Sequence, residues 1–271
     1  MSETEQITLQ QIADALIETG VSAGSNVMLH SSLRNLGFIQ GVPIRSYPEK
    51  LVSLILDIIG TSGTLCVPAP NWNYGKLKEP FDIVRSPVSK ELGVISTHLL
   101  TRDGVRRSPN PIFSVAAVGK RAGCICDGAT GTAFGEESAW DRMYKLGFDN
   151  VFLGCGIEYL SFTRYIEFRY GVPYLYNKRF EVPVLNDGEP MDVEVTAPLR
   201  YAHCPAEYML EKFQHVLQQR GVYYQANLKE ATVSRVSMAD CYREGIECLK
   251  RDMHFFLKEM PPYESAKEPM I

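Results

Sequence analysis

No stretch of this 271-residue chain approaches the ~20 consecutive apolar residues that a membrane-crossing helix needs. Residues 1–11, MSETEQITLQQ, are polar and acidic where a secretory leader is basic and then apolar. No basic block is longer than Arg106 and Arg107, and 28 Lys+Arg stand against 32 Asp+Glu, a formal charge of -4. A nucleic-acid partner therefore lacks its electrostatic footprint. The seven cysteines are scattered singly except for Cys124 and Cys126, and match neither a zinc-ligand spacing nor a disulfide framework. Reduced thiols in a soluble cytoplasmic protein, with no metal and no membrane partner, are the expectation. Internal repeats and low-complexity linkers are missing too, which argues for one domain over 1–271.

What is present is an alternation of helical and strand-like segments. Residues 8–19 place Leu9, Ile12, Leu16 and Ile17 on one helical stripe, with Gly20 as the stop. The spacing predicts further helices over 47–59, 89–102, 139–145, 161–169, 204–220 and 238–259. Short apolar runs at 63–68, 113–118 and 150–154 read as buried strands, and 180–195 alternates around a hairpin signal at Asn186, Asp187 and Gly188. Strands alternating with helices point to an α/β sheet, with a core over about 8–175, a β-hairpin and helical elaboration over 176–260, and a loose tail over 261–271.

Residues 27–36, VMLHSSLRNL, carry the most information. An apolar run stops at His30, and Leu33 and Leu36 resume at helical spacing, so a buried strand runs into a helix capped by Ser31 or Ser32. Such a junction points backbone N–H groups at one spot and suits a phosphate or a developing oxyanion. The plainer reading is a core histidine and an ordinary cap.

Five segments, in order, resemble the aminoglycoside 3-N-acetyltransferase family, antibiotic acetyltransferases distinct from the GNAT fold. They are VMLHSSL at 27–33, GTLCVPA at 63–69, RSPNPIFSVAAVG at 107–119, FGEESAWDRM at 134–143 with NVFLGCG at 150–156, and SFTRYIEFRYGVPY at 161–174. The resemblance implies a mixed central sheet flanked by helices, and an N-acyltransferase using acetyl-CoA or another short-chain acyl-CoA. It further implies a CoA site formed by Ser31, Ser32, Leu33, Ser108, Asn110, Phe113, Ser114 and Val115. For 108–111 the residues alone also read as a proline-rich turn closed by asparagine.

The fifth segment departs from the family. Its usual pattern is Thr-x-x-His-x-x-Glu, with the histidine as base and the glutamate orienting it, whereas this chain has Ser161, Arg164 and Glu167 in that frame. Arginine stays protonated and cannot be the base. Three readings follow. Glu167, His30 or His203 replaces the histidine; or the amine needs no strong base and Arg164 binds an anionic group on the acceptor; or the protein binds CoA without catalysis.

The catalytic candidates are thus Glu167, Arg164, Ser161 and His30. Trp72, Tyr74, Glu137, Trp140 and Arg164 are the substrate candidates, the aromatic ones because such side chains on loops after strand ends stack on sugars or bases. Cys155 has no histidine in its motif to activate it. The expected acceptor is a small amine, specifically a nucleotide-linked amino sugar for surface polysaccharide, with an aminoglycoside as the alternative. A homo-oligomer is compatible with all of this.

Overall fold

A computed structural model describes residues 6–201 and 207–261. The strands are β1 (Asn26–Ser31), β2 (Thr64–Pro68), β3 (Phe81–Asp82), β4 (Arg106–Arg107), β5 (Val115–Gly119), β6 (Asp149–Leu153), β7 (Leu175–Phe180), β8 (Val184–Asn186), β9 (Glu189–Pro190), β10 (Val195–Arg200), β11 (Tyr224–Leu228) and β12 (Ala231–Ser237). Seven of them form one mixed sheet in the order β11-β12-β6-β1-β2-β5-β4. Its centre is parallel, β1 running with β2 and β6, while β5 and β12 pair antiparallel to β2 and β6.

Side chains alternate across β1 with the strand period of two. Val27 and Leu29 join one apolar cluster with Leu16, Leu51, Ile55 and Ile95; Met28 joins another with Trp140, Ile166, Phe213 and Leu249. Helices Leu9–Glu18, Tyr47–Ile59 and Gly93–Leu99 therefore cover one face, and Ala139–Lys145, Thr163–Tyr170, Glu211–Gln219 and Met238–Arg251 the other. The expected α/β architecture stands. Thr8 starts the first helix by accepting from the Gln11 amide while the Gln11 side chain accepts from the Thr8 amide.

Several expectations need correction. Residues 224–237, assigned to a peripheral elaboration, form β11 and β12 of the main sheet, because Val233 and Val236 pack on opposite faces beside β6. The helix expected over 89–102 is a 3-10 turn, Lys90–Leu92, followed by the helix Gly93–Leu99. Ser32 does occupy the cap position of the next helix, but its hydroxyl makes no capping bond and that helix, Leu33–Leu36, has four residues. So short a helix adds little dipole. The hairpin signal is realised between β8 and β9, with Asp187 and Gly188 at positive φ of 51° and 91°. His203, the start of the helix expected from 204, and the tail beyond 261 lie outside the described residues.

Candidate active site

The three parallel strands end on one edge of the sheet, with Ser31 of β1 opposite Leu153 of β6. Neighbouring connections diverge there, the place where α/β sheets bind ligands. Gly154 makes the edge compact: its φ is +66°, and a Cβ on it would meet the Ser32 carbonyl oxygen at 2.7 Å.

Two adjoining cavities open at this edge. The larger, about 380 Å³, lies among Trp72, Phe113, Glu158, Tyr159, Arg164 and Tyr208. The narrower, about 100 Å³, passes His30, Ser31, Pro68, Leu92 and Ser96. Tyr159 and Ser161 line both.

Beneath the larger cavity the helix Thr163–Tyr170 presents Arg164 and Glu167 on one face, three residues apart. Arg164 Nη1 donates to Glu167 Oε2 at 3.2 Å and to the Tyr208 hydroxyl, and its guanidinium lies 4.5 Å from the Tyr208 ring. Tyr208 Oη donates to the Glu167 carboxylate, with 2.8 and 2.9 Å to its two oxygens, and Tyr174 Oη donates to Oε1 at 2.7 Å. Glu167 has no exposed surface. Burial raises its carboxyl above the usual range, against the Arg164 charge and the two phenol donors.

His30 is buried and stacked on Phe152, ring centroids 5.2 Å apart. Burial lowers its imidazole to about 4, with the Asn150 side chain opposing the shift. An imidazole that loses its proton so readily is a poor base at neutral pH. Its Nε2 is buried without a hydrogen-bond partner on a residue that lines the narrow cavity.

Of the predicted site residues, the structure brings His30, Ser31, Trp72, Phe113, Ser161 and Arg164 to these cavities. It places others elsewhere. Asn110 Nδ2 donates to the Gly131 and Thr196 carbonyls while its Oδ1 accepts from the Ile112 and Phe113 amides, so its polar atoms hold the loop. Ser108 Oγ accepts from the Val115 amide, and Ser114 Oγ donates to the Ser108 carbonyl. Val115 is buried in β5. Ser32 donates its amide to the Leu153 carbonyl, and Leu33 lines a separate apolar pocket with Arg34, Phe38 and Arg45.

Tyr74 is a buried anchor that donates to the Val182 carbonyl at 2.5 Å, and Trp140 likewise donates to the Phe113 carbonyl at 2.8 Å. Both act from the core, Trp140 by fixing the Phe113 backbone. Glu137 is exposed and paired with Arg142 and Lys145, away from the cavities. Burial pushes the Cys155 thiol up to about 12, which removes its thiolate at neutral pH. Tyr174 and Tyr208 are not among the candidates the sequence offers. Tyr174 closes the fifth matched segment, but nothing near Tyr208 in the sequence signals a site. Among the described residues, no group of three or more His, Cys, Asp or Glu could hold a metal ion.

A family model described as aminoglycoside 3-N-acetyltransferase matches residues 28–250. The chain belongs to this family. Membership makes it a CoA-dependent N-acyltransferase. An aminoglycoside N(3)-acetyltransferase III of Salmonella sp is 28% identical over 203 residues, 67% of this chain and 68% of that protein. An aminoglycoside N(3)-acetyltransferase IV of Salmonella sp is 27% identical over 248 residues, 91% and 89%.

The fold agrees with solved acetyltransferase structures. One is AAC-IIIb in a binary complex with CoASH, with TM-score 0.75, 21% identity, and coverage of 91% of this chain and 97% of that one. Another is a histidine-to-alanine variant of AAC(3)-IVa in complex with a gentamicin, with TM-score 0.76, 24% identity, and coverage of 94% and 93%. No helix among the described residues is long and apolar enough to cross a membrane.

Proposed function

We propose that this N-acyltransferase moves the acetyl group of acetyl-CoA onto an amine of an aminoglycoside-class amino sugar. The observation that carries the reading is the pair of adjoining cavities with Ser161 on both walls. The narrow one suits a thin acyl-pantetheine arm, and Ser31 and Ser96 on its lining offer polar groups to a pantetheine amide or the thioester carbonyl. The wide one suits the acceptor: Trp72, Phe113 and Tyr159 offer faces for sugar rings, and Glu158 a carboxylate for a protonated amine. Relatives solved with a gentamicin and with sisomicin support that acceptor class. The buried cysteines, free in the structure, agree with the cytoplasm, where acetyl-CoA would be met.

The nucleotide-linked acceptor expected from Arg164 loses its footing here. That expectation needed an uncompensated cation for a diphosphate, and Arg164 is instead neutralised by Glu167 beside it. The test incubates purified protein with acetyl-CoA and gentamicin, sisomicin or a nucleotide-linked amino sugar while free thiol is followed. Thiol release with the two aminoglycosides is expected. Release with the nucleotide sugar alone would overturn the acceptor assignment.

A further inference from the structure

Acyl transfer to an amine leaves a proton to be removed; Glu158 on the cavity wall already accepts from the Gly156 amide, and the candidates His30, Arg164 and Glu167 are poor at that task on their own. Arg164 stays charged, His30 holds a proton weakly, and Glu167 has no surface of its own in the cavity. One side chain spans the gap. Tyr208 lines the cavity, and its hydroxyl donates to the Glu167 carboxylate at 2.8 and 2.9 Å. A phenol oxygen has two lone pairs, and Arg164 Nη1 donates to one of them, which leaves one acceptor position on an oxygen whose residue lines the cavity.

We propose that Tyr208 relays the acceptor's proton to Glu167, an inference that rests on the acyltransferase reading above. The amine lone pair attacks the thioester carbonyl carbon, the C–N bond forms, and the carbonyl π pair moves onto oxygen. The new N–H⁺ gives its proton to Tyr208 Oη as the phenolic proton passes to a Glu167 oxygen. Collapse re-forms the carbonyl and breaks the C–S bond, and the CoA thiolate takes its proton back along the same path. Amine plus acetyl-CoA become amide plus CoA thiol, and the protein ends as it began.

Burial makes Glu167 receptive to that proton, and Arg164 holds the phenol oxygen in place. Tyr174 donates to the same carboxylate but is itself buried, so it fixes Glu167 rather than meeting substrate. Among the described residues, the other charged or titratable groups around the relay are Arg200, 5.6 Å from the Tyr208 ring, His254 against Tyr174, and Glu158 and Tyr159 on the cavity wall.

The experiment measures steady-state transfer to an aminoglycoside across pH for the wild type, Tyr208→Phe, Glu167→Gln and the double variant. Tyr208→Phe is expected to lower kcat about 100-fold with KM for acetyl-CoA unchanged, as loss of a proton-transfer group does. Glu167→Gln is expected to lose as much, and the double variant no more, because the two act in one relay. An active wild type whose Tyr208→Phe variant keeps kcat within about threefold, or losses that multiply in the double variant, would overturn the relay alone. A wild type that transfers to no amine overturns the acyltransferase reading and the relay together. If Tyr208→Phe does not fold, Tyr208→His carries the test: transfer returning with a new pH limb near the imidazole value of about 6.5 supports the relay. An unchanged wild-type profile in that variant overturns it.

Discussion

The Tyr174 hydroxyl donates to Glu167 Oε1 across 2.7 Å, and neither residue has accessible surface. Removing that donor leaves a buried carboxylate oxygen under-satisfied. Tyr174→Phe should cost about 1–3 kcal/mol, read from urea denaturation. Glu167 adds a pH signature of known sign. Its folded pKa is raised, so its contribution is full below the unfolded carboxyl value of about 4.3 and is lost as pH rises through the folded value. Glu167→Gln should remove that decline from the stability profile.

His30 predicts the opposite slope. Its pKa falls from 6.5 unfolded to about 4 folded, so its contribution is full above 6.5 and is lost as pH falls towards 4. The loss between pH 7 and pH 5 should be about 2 kcal/mol, and His30→Phe, which keeps the stack on Phe152, should abolish it. Chemical denaturation of both proteins at the two pH values checks this.

Glu158 lines the acceptor cavity but takes no part in the Glu167 network. Glu158→Gln should raise KM for an aminoglycoside about fivefold, or about 1 kcal/mol, and leave kcat unchanged. An unchanged KM would remove it from the acceptor site.

Asn110 ties its own loop to the Gly131 and Thr196 carbonyls. Asn110→Ala breaks four hydrogen bonds at a buried side chain, so a loss of about 3 kcal/mol is expected by thermal or chemical denaturation. Acetyl-CoA affinity of the folded fraction should hold, since the side chain has no polar group left for the ligand.

Gly154→Ala sets a Cβ against the Ser32 carbonyl at a positive φ. The strand end must then move away from the 30–32 turn, at about 1–3 kcal/mol in stability. Acetyl-CoA affinity should fall with it, measured by calorimetry on the folded variant.

The site is partly legible in the sequence. Arg164 and Glu167 stand three apart in a helical segment, and that spacing alone brought them together. Trp140, Tyr74, Asn110 and Ser108 carry polar atoms that look available in a loop sequence. In the folded chain those atoms are spent on backbone groups 2 to 108 residues away. The strand β12 is not legible locally because its partner β6 lies some eighty residues earlier, and that pairing joins its short alternation to the main sheet.

Local order accounts for the helix at 47–59, the strands that flank it, and the frame that replaces the family's histidine with Arg164, because each depends on neighbours within a few residues. The proton path does not. Tyr208 reaches Glu167 across 41 residues of chain, and Tyr174 reaches it from beyond the helix end at Gly171. A hydroxyl beside a buried carboxylate is a fact of three-dimensional packing, which no spacing along the chain encodes.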